Sequence, residues 1–369
     1  MCLVFLAVLG VAVARWLDPL ATVNLLLLCS FGILLVRGAY FQPEPLYYMF
    51  FLCAGVMACR LLRGGTWRHY AVLGVAGALA FLAKPSVLPF VLTFAVAFAV
   101  RVVLTLVRRS GDWPLAKNLG GVALAAGIFA VMIFPLGRYS AEVYGRPFFS
   151  YTKYWMWMDD FKTEAFPFSA SHADRESLAK LTPEETPSLA WYLKRHSAQD
   201  AVKREAGCTG EVIWRFFFPE PKQAWRGFFW RMGQKKWQQP LTHRGVYVIG
   251  LAALCVGLAW PLRKVVLARV GETGNLVCVG FVLVTVAFYT ALYGWYYPIG
   301  HGDRFMGSLW MPAVFLLCWL AFSLRRLSAR KVADAAYLVV HALVLVMLLV
   351  QVANVFWRFS IGWYLETRN

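Results

Sequence analysis

Glu44 is the first of several residues whose chemical type and position suggest a reaction. Pro43 and Pro45 bracket it and restrict the backbone where the chain enters an apolar run. We predict a catalytic role for Glu44, as a carboxylate that orients a substrate or a metal ion. An acid placed at a helix start because the helix dipole favours it there is the alternative.

A second motif, Pro298 to Arg304, contains three functional side chains and two glycines that permit a tight turn. His301 offers an acid-base group, Asp303 a carboxylate that we predict to be catalytic, and Arg304 a guanidinium. A guanidinium beside a membrane is suited to bidentate binding of a lipid-linked phosphate. The alternative is an ordinary glycine-rich turn with a local Asp-Arg pair.

Lys84, which precedes Pro85 at the end of a short apolar run, is the third candidate. An ammonium beside apolar surface can neutralise a phosphate, so we predict that Lys84, His301 and Arg304 bind substrate. Simple snorkelling of the lysine towards water is the alternative.

Asp159 and Asp160 form an acidic doublet and are secondary candidates for a catalytic pair. Adjacent side chains on a helix or strand point apart, so the doublet does not by itself make a shared site. A helix cap or a solvated loop explains it more simply.

The elements that position these residues are hydrophobic runs. The chain is 60% hydrophobic and 15% charged, with a mean hydropathy of +0.57, and a spanning helix needs about 20 mostly apolar residues. We therefore predict an all-α polytopic membrane protein with about 9–10 hydrophobic helices and one large exoplasmic insertion, α-rich or mixed. The predicted segments are 3–14, 19–36, 45–60, 69–83, 86–107, 118–137, 245–261, 276–297, 305–323 and 332–354.

The polar stretch 138–243 carries 12 of the 19 acidic residues and many aromatic ones. A solvated tail would not hold so much apolar ring surface, so we predict a packed domain or a collar on the bilayer. The predicted domains are residues 1–137 with the N-terminal membrane helices, the polar domain 138–243, and residues 244–369 with the C-terminal helices and a short tail.

Basic residues fix the predicted orientation. They cluster in the connections 60–68, 101–117, 263–269 and 325–331, which the positive-inside rule places in the cytoplasm. Stretch 138–243 and the turns at Glu44, Lys84 and 298–304 then lie on the exoplasmic, or periplasmic, side of the inner (plasma) membrane.

Several classes of function are disfavoured by the sequence. The net charge of +18 is explained by the basic connections, so we predict no nucleic-acid partner. The sequence contains no Walker loop, Rossmann glycine fingerprint, nucleophile elbow or His-Glu-x-x-His motif. ATP-driven transport and cytoplasmic nucleotide-sugar chemistry are therefore unsupported. The eight cysteines and six histidines are scattered, without metal-ligand spacing.

Together these features resemble the GT-C superfamily of membrane glycosyltransferases, particularly the dolichyl-phosphate-mannose-protein mannosyltransferase-like and RgtA/B/C/D-like bacterial enzymes. The stretch 43–48, Pro-Glu-Pro-Leu-Tyr-Tyr, opens a helix as in that family, and 77–85 is similar to its GLAxLTKP stretch. The segment 302–305, followed by Pro312, is similar to the family's H-x-x-RY…P pattern. The resemblance covers about Phe31 to Leu324.

The resemblance implies an inverting glycosyltransferase. Such enzymes take a sugar from a polyprenyl-phosphate donor in the membrane and pass it to a glycan, lipid or protein acceptor at the exoplasmic face. A carboxylate acts as general base on the acceptor hydroxyl, and basic residues stabilise the departing lipid phosphate. The sequence leaves the cofactor open, a divalent cation included.

This chain departs from the family pattern in one respect. The family's catalytic aspartate lies in the first exoplasmic loop, and nothing before Phe31 matches that loop. We expect a truncated amino terminus, half of a split protein, or a base supplied by Glu44 or Asp303. A transporter or flippase for lipid-linked saccharides and a non-catalytic membrane assembly protein are the alternatives from other classes.

Overall fold

Helices make up most of the described part of the protein. The computed structural model describes residues 2–34, 43–108, 113–217, 244–300, 306–328 and 330–366. These residues are 87% helical and include no strand, and seven of their helices are long and apolar enough to cross a membrane. The prediction of an all-α polytopic membrane protein is therefore confirmed.

The helices follow the predicted apolar segments closely. In chain order they are α1 (Cys2–Val13), α2 (Pro19–Cys29), α3 (Glu44–Gly64), α4 (Trp67–Ala83), α5 (Leu88–Arg108), α6 (Leu115–Tyr144), α7 (Thr152–Trp155), α8 (Phe166–Ser171), α9 (Arg175–Ala179), α10 (Leu189–Arg195), α11 (Ala198–Phe217), α12 (Arg244–Ala259), α13 (Arg263–Gly271), α14 (Thr273–Trp295), α15 (Tyr297–Gly300), α16 (Gly307–Ser328) and α17 (Lys331–Glu366). Each of the ten predicted segments coincides with an apolar helix of this set. Three of those helices, α1, α2 and α4, are shorter than the others.

Helix α6 continues past residue 137, where the sequence predicted its membrane segment to end. Pro135 lies inside the helix, and Arg138 pairs with Glu142 one turn later over 2.9 Å. The helix ends at Gly145, whose φ of 72° is a left-handed conformation that favours glycine. The first two turns of the predicted polar domain are therefore an extension of a membrane helix.

The chain forms two compact units. The first comprises Met1–Leu52, Arg215–Glu272 and Gly307–Asn369, and the second comprises Cys53–Trp214 and Thr273–Met306. Each unit contains segments that are far apart in sequence, so the units cut across the three consecutive domains that hydropathy predicts.

The core of the first unit is built from α2, α12, α16 and α17. The indole of Trp310 donates to Leu28 O over 2.9 Å, and Arg244 donates to Gly32 O over 2.9 Å and 3.2 Å. At the other end of α2, Arg325 bridges the carboxylates of Asp18 and Asp334. These pairings hold the ends of helices that are distant in sequence.

In the second unit α4 and α6 pack side by side and run in the same direction. The Tyr70 hydroxyl donates to Asn118 Oδ1 over 2.8 Å, and the Phe81 ring contacts Phe129 further along both helices. Helix α14 runs antiparallel to α5. Arg108, at the end of α5, contacts Thr273 at the start of α14, and Tyr289, near the end of α14, contacts Ser86 just before α5.

These directions give the second unit two distinct ends. We call them the Arg108 end and the Lys84 end. The Arg108 end contains Arg63, Arg108 and Lys117, because Gly274 lies against Arg63 and the Trp113 indole donates to Leu61 O. At the Lys84 end the Tyr289 hydroxyl donates to Ser86 O over 2.7 Å, one helix turn and a half before Trp295.

Residues 146–214 of the insertion, which belong to the second unit, are joined to its Lys84 end. The Tyr296 hydroxyl donates to Thr152 O over 2.6 Å, and the Trp295 indole donates to Met156 O. Phe148, a non-glycine residue with a positive φ of 54°, places its ring against Phe81 and Gly137. The polar insertion and the basic connections thus lie at opposite ends of this unit.

Candidate functional site

The first group of candidate residues is divided between the two units. Glu44 is the first residue of α3, belongs to the first unit and is buried. Lys84 belongs to the second unit, ends α4 in an extended conformation and is half-buried. His301, Asp303 and Arg304 lie outside the described residues, so their predicted roles stay predictions.

Asp159 is the centre of a polar cluster in the insertion. His196 Nε2 lies 2.8 Å from Asp159 Oδ2, and Arg204 Nη1 donates to Asp159 Oδ1 over 3.0 Å. The side chains of Asp159 and His196 are 39% and 27% exposed, so solvent reaches both. Because an ionised carboxylate only accepts hydrogen bonds, the imidazole donates from Nε2 and keeps its lone pair on Nδ1 when neutral.

Arg204 anchors this cluster to a membrane helix. Its side chain is 7% exposed, and its Nη2 donates to the carbonyls of Met158 and Trp295 over 2.8 Å and 3.2 Å. The guanidinium carbon lies 4.7 Å from the Trp295 ring centroid and 5.2 Å from that of Tyr192. Since Trp295 is the last residue of α14, the cluster is held directly against the Lys84 end of the second unit.

A second carboxylate, that of Glu164, holds the backbone of Asp159 in place. Glu164 accepts the backbone N–H of Asp159 over 2.7 Å and the guanidinium of Arg195 over 2.5 Å. Burial by itself would raise the pKa of Glu164, but these hydrogen bonds outweigh it and lower the pKa. The Tyr192 ring stacks on His196 with centroids 4.4 Å apart and fixes the plane of the imidazole. Asp159 and His196 are therefore held in defined orientations.

Asp160 has a different role from its neighbour. It caps the following helical turn, accepting from the backbone N–H groups of Lys162 and Thr163 over 2.8 Å each and from the Thr163 hydroxyl over 2.9 Å. The hydrogen bonds from Thr163 hold its pKa below the usual range. The doublet is thus one capping acid and one acid in the polar cluster, and among the described residues the two carboxylates share no partner.

The cluster has the parts of an acid-base site. A carboxylate that holds an imidazole by one nitrogen leaves the other nitrogen available to take a proton from a hydroxyl. The described residues contain no group of three or more histidine, cysteine and acidic side chains that could hold a metal ion.

His196 and Arg204 were missed by the sequence analysis. They lie 37 and 45 residues after Asp159, and a histidine or an arginine in a polar stretch has no local pattern that marks it as a partner. The one available signal was the spacing of Tyr192 and His196, four residues apart, which stacks two rings on one helix face. That spacing predicts a ring contact but not the carboxylate beside it.

Comparisons of this chain with family models, with curated proteins and with solved structures find no match.

Proposed function

We propose that this protein transfers a sugar from a polyprenyl-phosphate donor to an acceptor hydroxyl at the exoplasmic face of the membrane. The observation that carries the proposal is the Asp159–His196 pair, held on the end of a membrane helix at the end of the unit that also contains Lys84. The residues that resemble the GT-C superfamily support the same class of reaction.

In the proposed reaction His196 is the general base. Its Nδ1 takes the proton of the acceptor hydroxyl while that oxygen attacks the anomeric carbon from the face opposite the phosphate. The bond between the anomeric carbon and the phosphate oxygen breaks, so the configuration inverts and polyprenyl phosphate leaves with the bonding electrons. Asp159 stabilises the imidazolium that forms, and Lys84 offsets the charge of the leaving phosphate.

The predicted bases Glu44 and Asp303 are alternatives to His196, with Arg304 and His301 as phosphate ligands. These assignments differ in a measurable way. If Glu44 is the base, Glu44→Gln abolishes transfer and His196→Gln leaves most of it. If His196 is the base, His196→Gln abolishes transfer and Glu44→Gln leaves most of it.

The test uses purified protein in proteoliposomes with undecaprenyl-phosphate-linked glucose, mannose and arabinose as donors and a crude envelope glycan fraction as acceptor. Wild-type protein is expected to release undecaprenyl phosphate and label the acceptor. We expect His196→Gln and Asp159→Asn to lower kcat by about 10²–10⁴-fold. The neighbouring Asp160→Asn is the matched control and is expected to retain activity, because Asp160 caps a turn.

Two outcomes would count against the proposal. If the wild-type protein transfers none of the three sugars, the activity itself is rejected. If transfer occurs but His196→Gln is as fast as Asp160→Asn, the activity stands and the role of the Asp159–His196 pair is rejected.

Transport of a lipid-linked saccharide is a second candidate, favoured by one observation. Arg101 and His341 are buried inside helices long enough to span the membrane, and ionisable residues in such positions mark transport pathways in many membrane proteins. Movement of a fluorescent lipid-linked sugar across the proteoliposome bilayer without transfer to acceptor would favour this function.

A further inference from the structure

A group of buried polar side chains lies inside the first unit, on α2 and α17. Asn24, Tyr337 and His341 are each 0% exposed, although both helices belong to apolar segments. His341 is ten residues into α17, about 15 Å along the helix axis. That distance is half of the roughly 30 Å hydrocarbon thickness, and it places the imidazole near the middle of the apolar span Lys331–Ala353.

The contacts between Asn24 and His341 determine the protonation of the imidazole. Asn24 Nδ2 donates to the backbone carbonyl of His341 over 2.8 Å and lies 3.0 Å from its ring Nδ1. A carbonyl can only accept, so the amide nitrogen and not the amide oxygen must face His341. The ring Nδ1 therefore accepts the second amide hydrogen, and the proton of the neutral ring is on Nε2.

This arrangement leaves two polar atoms buried without a protein partner among the described residues. His341 Nε2 is a donor and Asn24 Oδ1 is an acceptor, and neither makes a hydrogen bond there. Leaving such groups unsatisfied in an apolar interior is destabilising. Buried water commonly offsets that cost, since one molecule can both accept and donate.

Tyr337 connects this site to the end of the unit. Its ring packs on His341 with centroids 4.4 Å apart. Its hydroxyl lies near the Asp18 carboxylate and has no well-aligned hydrogen-bond partner among the described residues, an arrangement that a bridging water suits. Asp18 accepts from Arg325 over 2.8 Å and is partly exposed.

We propose that Asn24, Tyr337 and His341 bind buried water that links the His341 Nε2–H group to Asp18. The ionisable groups around His341 are then Tyr337 on its own helix, Asp18 before α2, and Arg325 on α16, which also pairs with Asp334. The water allows the imidazole proton to exchange with solvent at the Asp18 end. This site is independent of the proposed glycosyl transfer.

The test is nitrogen NMR of the full-length protein in nanodiscs with ¹⁵N-labelled histidine. Only six histidines are present, so the His341 signal is assigned by its loss in His341→Gln, with His69→Gln as a control that removes a different signal. The expected result is a neutral Nε2–H imidazole that receives magnetisation from water. A δ-protonated neutral ring, or an ε-protonated ring with no transfer from water, would overturn the proposal.

A second variant keeps the proposal testable if His341→Gln does not fold. Asn24→Asp replaces the donating amide with a carboxylate of the same shape that can only accept when ionised. We expect the His341 ring to become protonated on Nδ1 as well and its nitrogen signals to move to those of an imidazolium. Unchanged signals in Asn24→Asp would mean that Asn24 does not set the tautomer, which would also overturn the proposal.

Discussion

At the scale of single residues, hydrogen-bond partners separate side chains that sequence position groups together. Asp159 and Asp160 are adjacent, yet one meets His196 and Arg204 while the other caps a helical turn. The same rule separates two glutamates of the insertion. Glu164 accepts hydrogen bonds from charged and backbone donors, whereas burial raises the pKa of Glu205 against the opposing effects of Thr209 and Arg204.

Substituting glutamine for each of the two glutamates is predicted to change the stability of the protein at pH 7 in opposite directions. The folded-state pKa of Glu164 lies below its unfolded value of 4.5, so its contribution to stability is present above pH 4.5 and disappears as the pH falls through the folded pKa. Glu164→Gln should therefore destabilise the protein at pH 7 and much less at pH 3.5. Glu205→Gln should stabilise it at pH 7, since a raised pKa disfavours the ionised form in the folded state.

Thermal unfolding in detergent between pH 3.5 and pH 7 would measure both effects. If the two variants shift the midpoint in the same direction at pH 7, the roles assigned to these carboxylates are wrong.

At the scale of helices, the pairing of α4 with α6 depends on which glycine faces the partner. A Cβ atom on Gly74 would lie 2.7 Å from the Ala125 carbonyl oxygen and 3.1 Å from its Cα, and backbone atoms cannot move away easily. A Cβ atom on Gly121 would lie 2.3 Å from the Tyr70 ring. The preceding residue, Gly120, has open space around it. The structure thus separates the glycines at close helix contacts from one that has open space around it.

Alanine substitutions should follow that separation. We expect Gly74→Ala and Gly121→Ala to destabilise the protein by roughly 1–3 kcal/mol, the usual effect of overpacking a close contact. Gly120→Ala is the matched control, and it should be neutral because the added methyl group meets nothing. Equal melting temperatures for Gly120→Ala and Gly121→Ala would contradict the close packing of α4 on α6.

At the scale of the whole molecule, the chain is a multi-pass helical protein. In its second unit the insertion and the basic connections lie at opposite ends. The positive-inside rule assigns the Arg108 end to the cytoplasm. The Lys84 end, with Asp159 and His196, would then face the exoplasm, where the proposed donor lipid presents its sugar.

Cysteine labelling can test this orientation. Glu184→Cys and Lys117→Cys introduce exposed thiols in the insertion and at the Arg108 end, respectively. With intact cells and a membrane-impermeant maleimide, we expect labelling above the background of the native cysteines for Glu184→Cys only. Lys117→Cys should react only after the membrane is permeabilised, and the opposite pattern would reverse the orientation.

The sequence by itself determined the apolar helices among the described residues, because an apolar run of about 20 residues is a local property and a backbone in lipid must satisfy its own hydrogen bonds. It also determined which connections are basic, and hence the predicted orientation. Its candidates at Glu44, Lys84 and 301–304 were chosen for the same kind of local reason, a polar residue beside an apolar run.

Only the tertiary structure decided which side chains meet. His196 and Arg204 reach Asp159 across 37 and 45 residues, and Asn24 reaches His341 across 317. No residue in these pairs has neighbours in sequence that identify its partner, because such contacts depend on how whole helices pack. For the same reason Asp159 was only a secondary candidate in the sequence, and His341 was one of six scattered histidines. The structure places each of them in a hydrogen-bonded cluster.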